Sequence, residues 1–184
     1  SDTIWNLSAL PQRLVVLGGG PIGCEMTQAF ARLGSQVTQV EMAPRLLTRE
    51  DPEVSALVEQ RFAREGVRVL TGHTAARFEV AGGEKVLVAT RGGAELRVPF
   101  DVVLVAAGRA PNVEVPGLKE AGVQMTERGF IKVNALLETS AKGVYAIGDV
   151  AGPPMLAHKG SREGHVVADI IGGHKHHPVN YGNI

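Results

Sequence analysis

The feature that most restricts what this chain can fold into is a cluster of glycines, Gly18, Gly19, Gly20 and Gly23, between a short apolar run and an amphipathic stretch. Arg13 to Leu17 reads Arg-Leu-Val-Val-Leu, which suits a parallel strand buried on both faces. From Pro21 to Leu33 the apolar residues Ile22, Met26, Ala29, Phe30 and Leu33 recur at helical spacing, with Pro21 at the start and Gly34 just past the end. A strand that turns at once into a helix in the order G-x-G-x-x-G is the signature of a dinucleotide-binding βαβ unit. Glycine-rich turns are common, so the context decides. Gln36 to Glu41 reads as a second strand, and it ends in a carboxylate at about the 20-residue distance that the signature requires. The bland alternative is a structural turn, with Glu41 solvated at a strand end.

Each glycine answers a different steric demand: Gly18 for the sharp turn, Gly20 for backbone approach to a pyrophosphate, and Gly23 for close packing of helix on strand. Amides at the helix N-terminus, in the segment Gly19-Gly20-Pro21-Ile22, then point at the phosphates, so no basic side chain is needed. Glu41 is placed to accept hydrogen bonds from the adenosine ribose hydroxyls and to repel a 2′-phosphate, which favours NAD(H) over NADP(H). Arg45 and Arg49 follow closely and could meet a 2′-phosphate if Glu41 rotated away.

Downstream, Asp51-Pro52 opens a second helix with Val54, Leu57, Val58 and Phe62 on one face, and Val67 to Leu70 reads as a strand. Three short strands at 76–80, 85–90 and 95–99, separated by Ala-Gly-Gly-Glu and Arg-Gly-Gly-Ala, read as an antiparallel meander. Asp101 to Ala106 is another apolar strand, followed by a loop with Gly108. Beyond it lie an expected hairpin over 123–133 turning at Glu127-Arg128-Gly129, a strand at Val144 to Ile147 and a helix from about Leu156 to Ile171. The fold class is therefore α/β, a Rossmann-like parallel sheet with a β-meander crossover. The expected division is residues 1–112 as a nucleotide-binding domain and 113–184 as a segment that completes no sheet of its own.

Composition narrows the partners. Lysine plus arginine and aspartate plus glutamate both number 19, so no net field draws the chain to nucleic acid or an anionic membrane. Cys24 is the only cysteine, which excludes an intrachain disulfide and a CxxC pair and leaves a packed thiol. No basic start, signal-type apolar run or membrane-length stretch is present, so a cytoplasmic location is expected. The tail with His174, Lys175, His176 and His177 has no acidic or cysteine ligand at a matching spacing, so no metal site is expected.

Three segments, G-G-G-P-I-G-C-E, V-V-L-V-A-A-G-R-A-P-N and T-S-A-K-G-V-Y-A-I-G-D-V, together resemble the FAD-dependent pyridine nucleotide-disulfide oxidoreductases of the dihydrolipoamide dehydrogenase and mercuric reductase type. The resemblance covers almost the whole chain. It implies the FAD/NAD(P)-binding superfamily fold, with the NAD(P) domain inserted into an FAD domain whose returning segment is 113–184. It also implies an enzyme that passes hydride from NADH or NADPH to FAD and on to a disulfide or other acceptor. It further implies an upstream FAD-binding glycine motif with a cysteine pair and a C-terminal dimerisation domain, which this sequence does not match. The full-length protein is expected to be a homodimer, and this fragment alone is expected to be inactive.

By the same resemblance, the pyridine-nucleotide site carries over to Gly18 through Gly23, Glu41 and Gly108, with a weaker match at Thr74. Glu25 falls where the family places a glutamate beside the nicotinamide. Gly148-Asp149 matches the FAD ribityl contact, and Met155, Leu156, Ala157 and His158 match the start of the helix under the flavin. His158 is read as a contact and not as a proton carrier. The competing reading is a stand-alone dinucleotide-binding or redox-sensing module without turnover. Gly148-Asp149 argues against it, because such a module has no use for half of an FAD site.

Overall fold

The computed structural model describes residues 3–183, which divide into two compact units, Ser1–Gly108 and Arg109–Ile184. In the first unit, β1 (Arg13–Leu17) leads into α1 (Pro21–Leu33) and β2 (Gln36–Glu41). Then follow α2 (Pro52–Arg64), β3 (Arg68–Thr71), the meander β4 (Thr74–Ala81), β5 (Glu84–Arg91) and β6 (Ala94–Phe100), and finally β7 (Val102–Val105). The parallel sheet has the order β3-β2-β1-β7, and the meander forms a second, three-stranded sheet.

Side-chain alternation along β1 sorts the core into two layers. Leu14 and Val16 pack with Val37, Cys24 of α1 and Phe62 of α2, whereas Val15 packs with Val40 and with Leu87, Ala89, Val98 and Phe100 of the meander. The parallel sheet is thus covered by helices on one face and by the meander on the other, which is why β1 reads as an unbroken apolar run. Both meander turns are glycine pairs, Gly82-Gly83 and Gly92-Gly93, with positive φ throughout, the backbone that a two-residue hairpin turn demands.

The helix faces differ from the sequence expectation. Of the residues expected to form the buried face of α1, Ile22 and Leu33 are 43% and 67% exposed, and the helix buries Gly23, Cys24 and Thr27 instead. Gly23 rests against the Gly18 carbonyl, and this backbone contact fixes the rotation of the helix. In α2, Val54 and Leu57 are exposed while Ser55 and Phe62 are buried.

In the second unit the expected hairpin keeps its turn, with the Gly129 amide donating to the Thr126 carbonyl at 2.9 Å. Its arms, however, are joined only by the isolated bridge between Met125 and Ile131. The strand expected at Val144 to Ile147 is likewise reduced to a bridge between Glu138 and Tyr145, because a ladder needs a partner strand and no other described segment pairs with it. Packing around Val123, Ile131 and Ala146, and around Leu137, Val166 and Val179, holds this unit together. A 3-10 turn, Gly148–Ala151, and α3 (Ala157–Ile171) complete it.

Candidate functional site

The glycine turn lies at the carboxyl ends of β1 and β7, where the sheet switches from strands running outward through β2 to the later strand β7, the usual ligand position in an open α/β sheet. Gly18 has φ +110°, and a β-carbon there would lie 2.8 Å from the Ala106 carbonyl carbon, so both conformation and space require glycine. A β-carbon on Gly19 would meet Glu41 Cγ and Leu46 Cδ2, each at 2.8 Å, and one on Gly23 would fall inside the Gly18 carbonyl oxygen. Gly20 differs from the other three: nothing lies within 4 Å of where its β-carbon would be. Three glycines of the turn are thus filled by the protein, and the fourth faces open space.

Donors border that space. The Cys24 amide makes the first intrahelical bond, to the Gly20 carbonyl at 3.0 Å, so the Ile22 and Gly23 amides have no acceptor within α1. Pro21 at the first helical position has no N–H to leave unpaired. These amides and the positive end of the helix dipole form a receptor for an anion.

Glu41 closes the turn from the side. Its Oε2 accepts the Gly19 amide at 2.5 Å and its Oε1 accepts the Ala43 amide at 2.6 Å, which fixes the carboxylate and leaves further lone pairs for other donors. Below the turn, Gln39 is fully buried on β2 and donates Nε2 to the Gly18 carbonyl at 2.9 Å. Sequence reasoning missed Gln39, whose only signal is an amide side chain between Val37 and Val40 on a strand expected to lie inside the sheet. Burial pushes the Cys24 thiol up from its ordinary range, in keeping with a packed thiol.

Of the remaining residues singled out in the first unit, Gly108 has φ +133°, a conformation suited to glycine, just beyond β7. Glu25 is exposed in the early turns of α1. Thr74 is exposed at the start of β4 and pairs with Thr90; its neighbours Gly72 and His73 are the residues that donate amides to the Ala43 and Glu41 carbonyls. The Arg45 guanidinium, a candidate partner of a 2′-phosphate by sequence, is directed to Leu47, Thr48, Glu50 and Ser55 within its own loop and helix start.

In the second unit a buried ion pair holds Gly148. Lys159 and Glu163, one helical turn apart on α3 and 2% and 1% exposed, lie 2.9 Å from each other. Glu163 accepts the Gly148 amide at 2.6 Å, and Lys159 donates to the Gly148 carbonyl at 2.9 Å. Tyr181 donates its hydroxyl to Glu163 at 2.8 Å, and burial together with that carboxylate pushes the phenol up to about 12. The approach is close enough that a β-carbon on Gly160 would lie 3.3 Å from Gly148 Cα. Asp149 is thereby presented half-buried, with only a 3.5 Å contact to Arg109 on its carboxylate. Met155 and Leu156 lead into α3, while Ala157 and His158 are exposed in its first turn, ahead of the first ladder bond from the Gly160 amide to the Leu156 carbonyl. Lys159 and Glu163 were also missed, although they fall on one helical stripe with Val166 and Ile170.

Residues 1–164 match the pyridine nucleotide-disulphide oxidoreductase family. The chain belongs to that family. Among its relatives, a protein named dihydrolipoyl dehydrogenase from Thermus scotoductus is 48% identical over 166 residues, covering 89% of this chain and 36% of the relative. One from Zymomonas mobilis is 41% identical over 96% of this chain and 38% of its own. Among solved structures, LpdA from Mycobacterium tuberculosis matches with a TM-score of 0.87 at 29% identity, over 98% of this chain and 39% of that one. The flavoprotein disulfide reductase RclA from Escherichia coli matches with a TM-score of 0.85 at 29% identity, over 94% of this chain and 39% of that one. This family member thus spans little more than a third of the length of these relatives. Among the described residues, no helix is long and apolar enough to cross a membrane, and no three His, Cys, Asp or Glu side chains gather where they could hold a metal ion.

Proposed function

We propose that this chain is the pyridine-nucleotide-binding part of an FAD-dependent oxidoreductase, with NAD(H) taken in preference to NADP(H). The observation that carries the reading is the open space over Gly20, bordered by the free Ile22 and Gly23 amides and by a Glu41 carboxylate already fixed in place. The amides hold the pyrophosphate, and Glu41 accepts the ribose hydroxyls through lone pairs that Gly19 and Ala43 leave free. Because the two backbone amides pin Glu41, it cannot swing aside for a 2′-phosphate without losing both bonds. Membership of the family and the dihydrolipoyl dehydrogenase relatives support this assignment.

In the second unit, Asp149 has the chemistry to accept hydrogen bonds from the hydroxyls of a flavin side chain, and the free amides at the start of α3 favour negative charge near Met155, Leu156, Ala157 and His158. Flavin held by Asp149 and the start of α3 would supply the two-electron chemistry that links a pyridine nucleotide to a disulfide or other acceptor. On this reading the residues of this chain bind and orient, and the acceptor is chosen elsewhere in a longer, homodimeric protein.

The test is a pair of equilibrium titrations, NADH and NADPH, on the wild-type chain and on Glu41→Arg. The reading expects tighter binding of NADH by wild type, and a shift of the ratio toward NADPH by about tenfold or more in the variant. An unchanged ratio in a folded variant would show that Glu41 does not face the ribose.

A further inference from the structure

We infer that Arg45 is a positioning residue that sets nucleotide selectivity without touching the nucleotide, by locking the loop after β2 onto the glycine turn. The inference rests on the reading of that turn given above. Arg45 Nη1 donates to the Leu47 carbonyl at 3.1 Å and to Ser55 Oγ at 2.5 Å, and Nη2 donates to the Thr48 and Glu50 carbonyls at 2.9 Å each. Its terminal nitrogens are thus spent on four oxygens of one short segment. The planar fork of a guanidinium can satisfy such a set at once, whereas an ammonium on a flexible stem cannot.

What the arginine holds is unusual backbone. Leu47 has φ +48°, in the left-handed region that residues with a β-carbon seldom occupy. In that conformation its amide donates to the Gly19 carbonyl at 2.8 Å. Leu46, fully buried next to it, puts Cδ2 2.8 Å from where a Gly19 β-carbon would be. Leu46 is anchored in turn by Ser55 Oγ on its carbonyl at 2.5 Å and by Glu59 on its amide at 3.2 Å. The Gly19 amide, meanwhile, is held by Glu41. Both polar groups of Gly19 are therefore gripped by the single segment running from Glu41 to Leu47, and Arg45 is its staple. Releasing the staple lets Leu47 leave the left-handed region, withdraws its amide from Gly19 and frees Glu41 to move. The same bonds keep the Arg45 charge off a 2′-phosphate.

The experiment compares NADH and NADPH binding in wild type, Arg45→Ala, Arg45→Lys and Ser55→Ala, with Glu41→Arg as a control and thermal melts to confirm folding. Arg45→Ala should weaken NADH by about tenfold and leave NADPH within about twofold, so that the NADH preference collapses. Arg45→Lys should recover part of the preference, and Ser55→Ala, which removes one acceptor of the four, should lose part of it. If Arg45→Ala does not fold, Ser55→Ala and Arg45→Lys still decide, because a wild-type ratio in both overturns the proposal. Equal weakening of both nucleotides by Arg45→Ala would make the role merely structural, and selective loss of NADPH would make Arg45 a phosphate ligand; either result overturns it. A Glu41→Arg variant with an unchanged ratio would sink the reading of the turn itself, whereas a shifted ratio there beside an unshifted one in the Arg45 and Ser55 variants would sink only the staple.

Discussion

Two glycine-to-alanine substitutions three residues apart should fail in opposite ways. In Gly23→Ala the new methyl would fall inside the Gly18 carbonyl oxygen and lie 3.0 Å from the Gly18 carbonyl carbon and 3.3 Å from Gln39 Nε2. The first two are backbone, so the clash is relieved only by moving α1 off β1, which also loosens the bond from Gln39 to the Gly18 carbonyl. Overpacking of this kind costs about 1–3 kcal/mol, and the upper end applies where backbone meets backbone. Alanine's better helix propensity returns about 1 kcal/mol, leaving a net loss of about 2 kcal/mol. For a unit of this size, that lowers the melting temperature by roughly 10 °C. In Gly20→Ala nothing lies within 4 Å of the methyl, and the cost is that of a poor helix cap, about 1 kcal/mol or less. The same methyl occupies the space assigned to the pyrophosphate, so NADH affinity should fall about tenfold or more. Thermal unfolding by circular dichroism and NADH fluorescence titration of both variants give the comparison. A Gly20→Ala chain that binds NADH like wild type, or a Gly23→Ala chain that melts with wild type, would refute the reasoning.

Further outcomes follow from the ion pairs. Arg32, with Gln28 and Arg61, holds the Glu65 carboxyl down at about 2, against an ordinary 4.5. A depressed carboxyl contributes stability that is present above its unfolded value and is lost as pH falls through its folded one. Glu65→Gln should therefore flatten the fall in melting temperature between pH 4.5 and pH 2, and an unchanged acid profile would remove Glu65 from the account. Lys159→Met strands the Glu163 carboxylate in the second unit and should cost about 3–5 kcal/mol in denaturant unfolding, while pairing it with Glu163→Leu should cost much less. A double variant no milder than the single one would show that the pair is not insulated from solvent.

The parts of this protein that backbone sterics and periodicity dictate were legible in its sequence. The strand at Arg13–Leu17, the turn, the helix from Pro21 and the meander with its glycine pairs all stand where apolar runs and turn residues put them. Helix faces were less legible. Periodicity alone counted Ile22 and Leu33 as core, whereas the contact of Gly23 with the Gly18 carbonyl, a tertiary fact, rotates the helix to bury Gly23, Cys24 and Thr27. The strand expected at Val144 to Ile147 has apolar character without a partner to pair with, and a ladder cannot be read from one strand. The supports of the site were hidden for a similar reason. Gln39, Arg45, Lys159 and Glu163 look like surface residues in a linear reading, and their roles arise from which oxygens the fold brings to them.

The central claim, that the amides around Gly20 and the Glu41 carboxylate receive a pyridine dinucleotide, is tested most directly by backbone amide chemical shifts recorded during an NADH titration. The account predicts saturating shifts at Gly20, Ile22 and Gly23, the amides open to the phosphates, and at Gly19 and Ala43, which donate to Glu41. Saturating shifts confined to other parts of the chain, with these five amides unmoved, would contradict it.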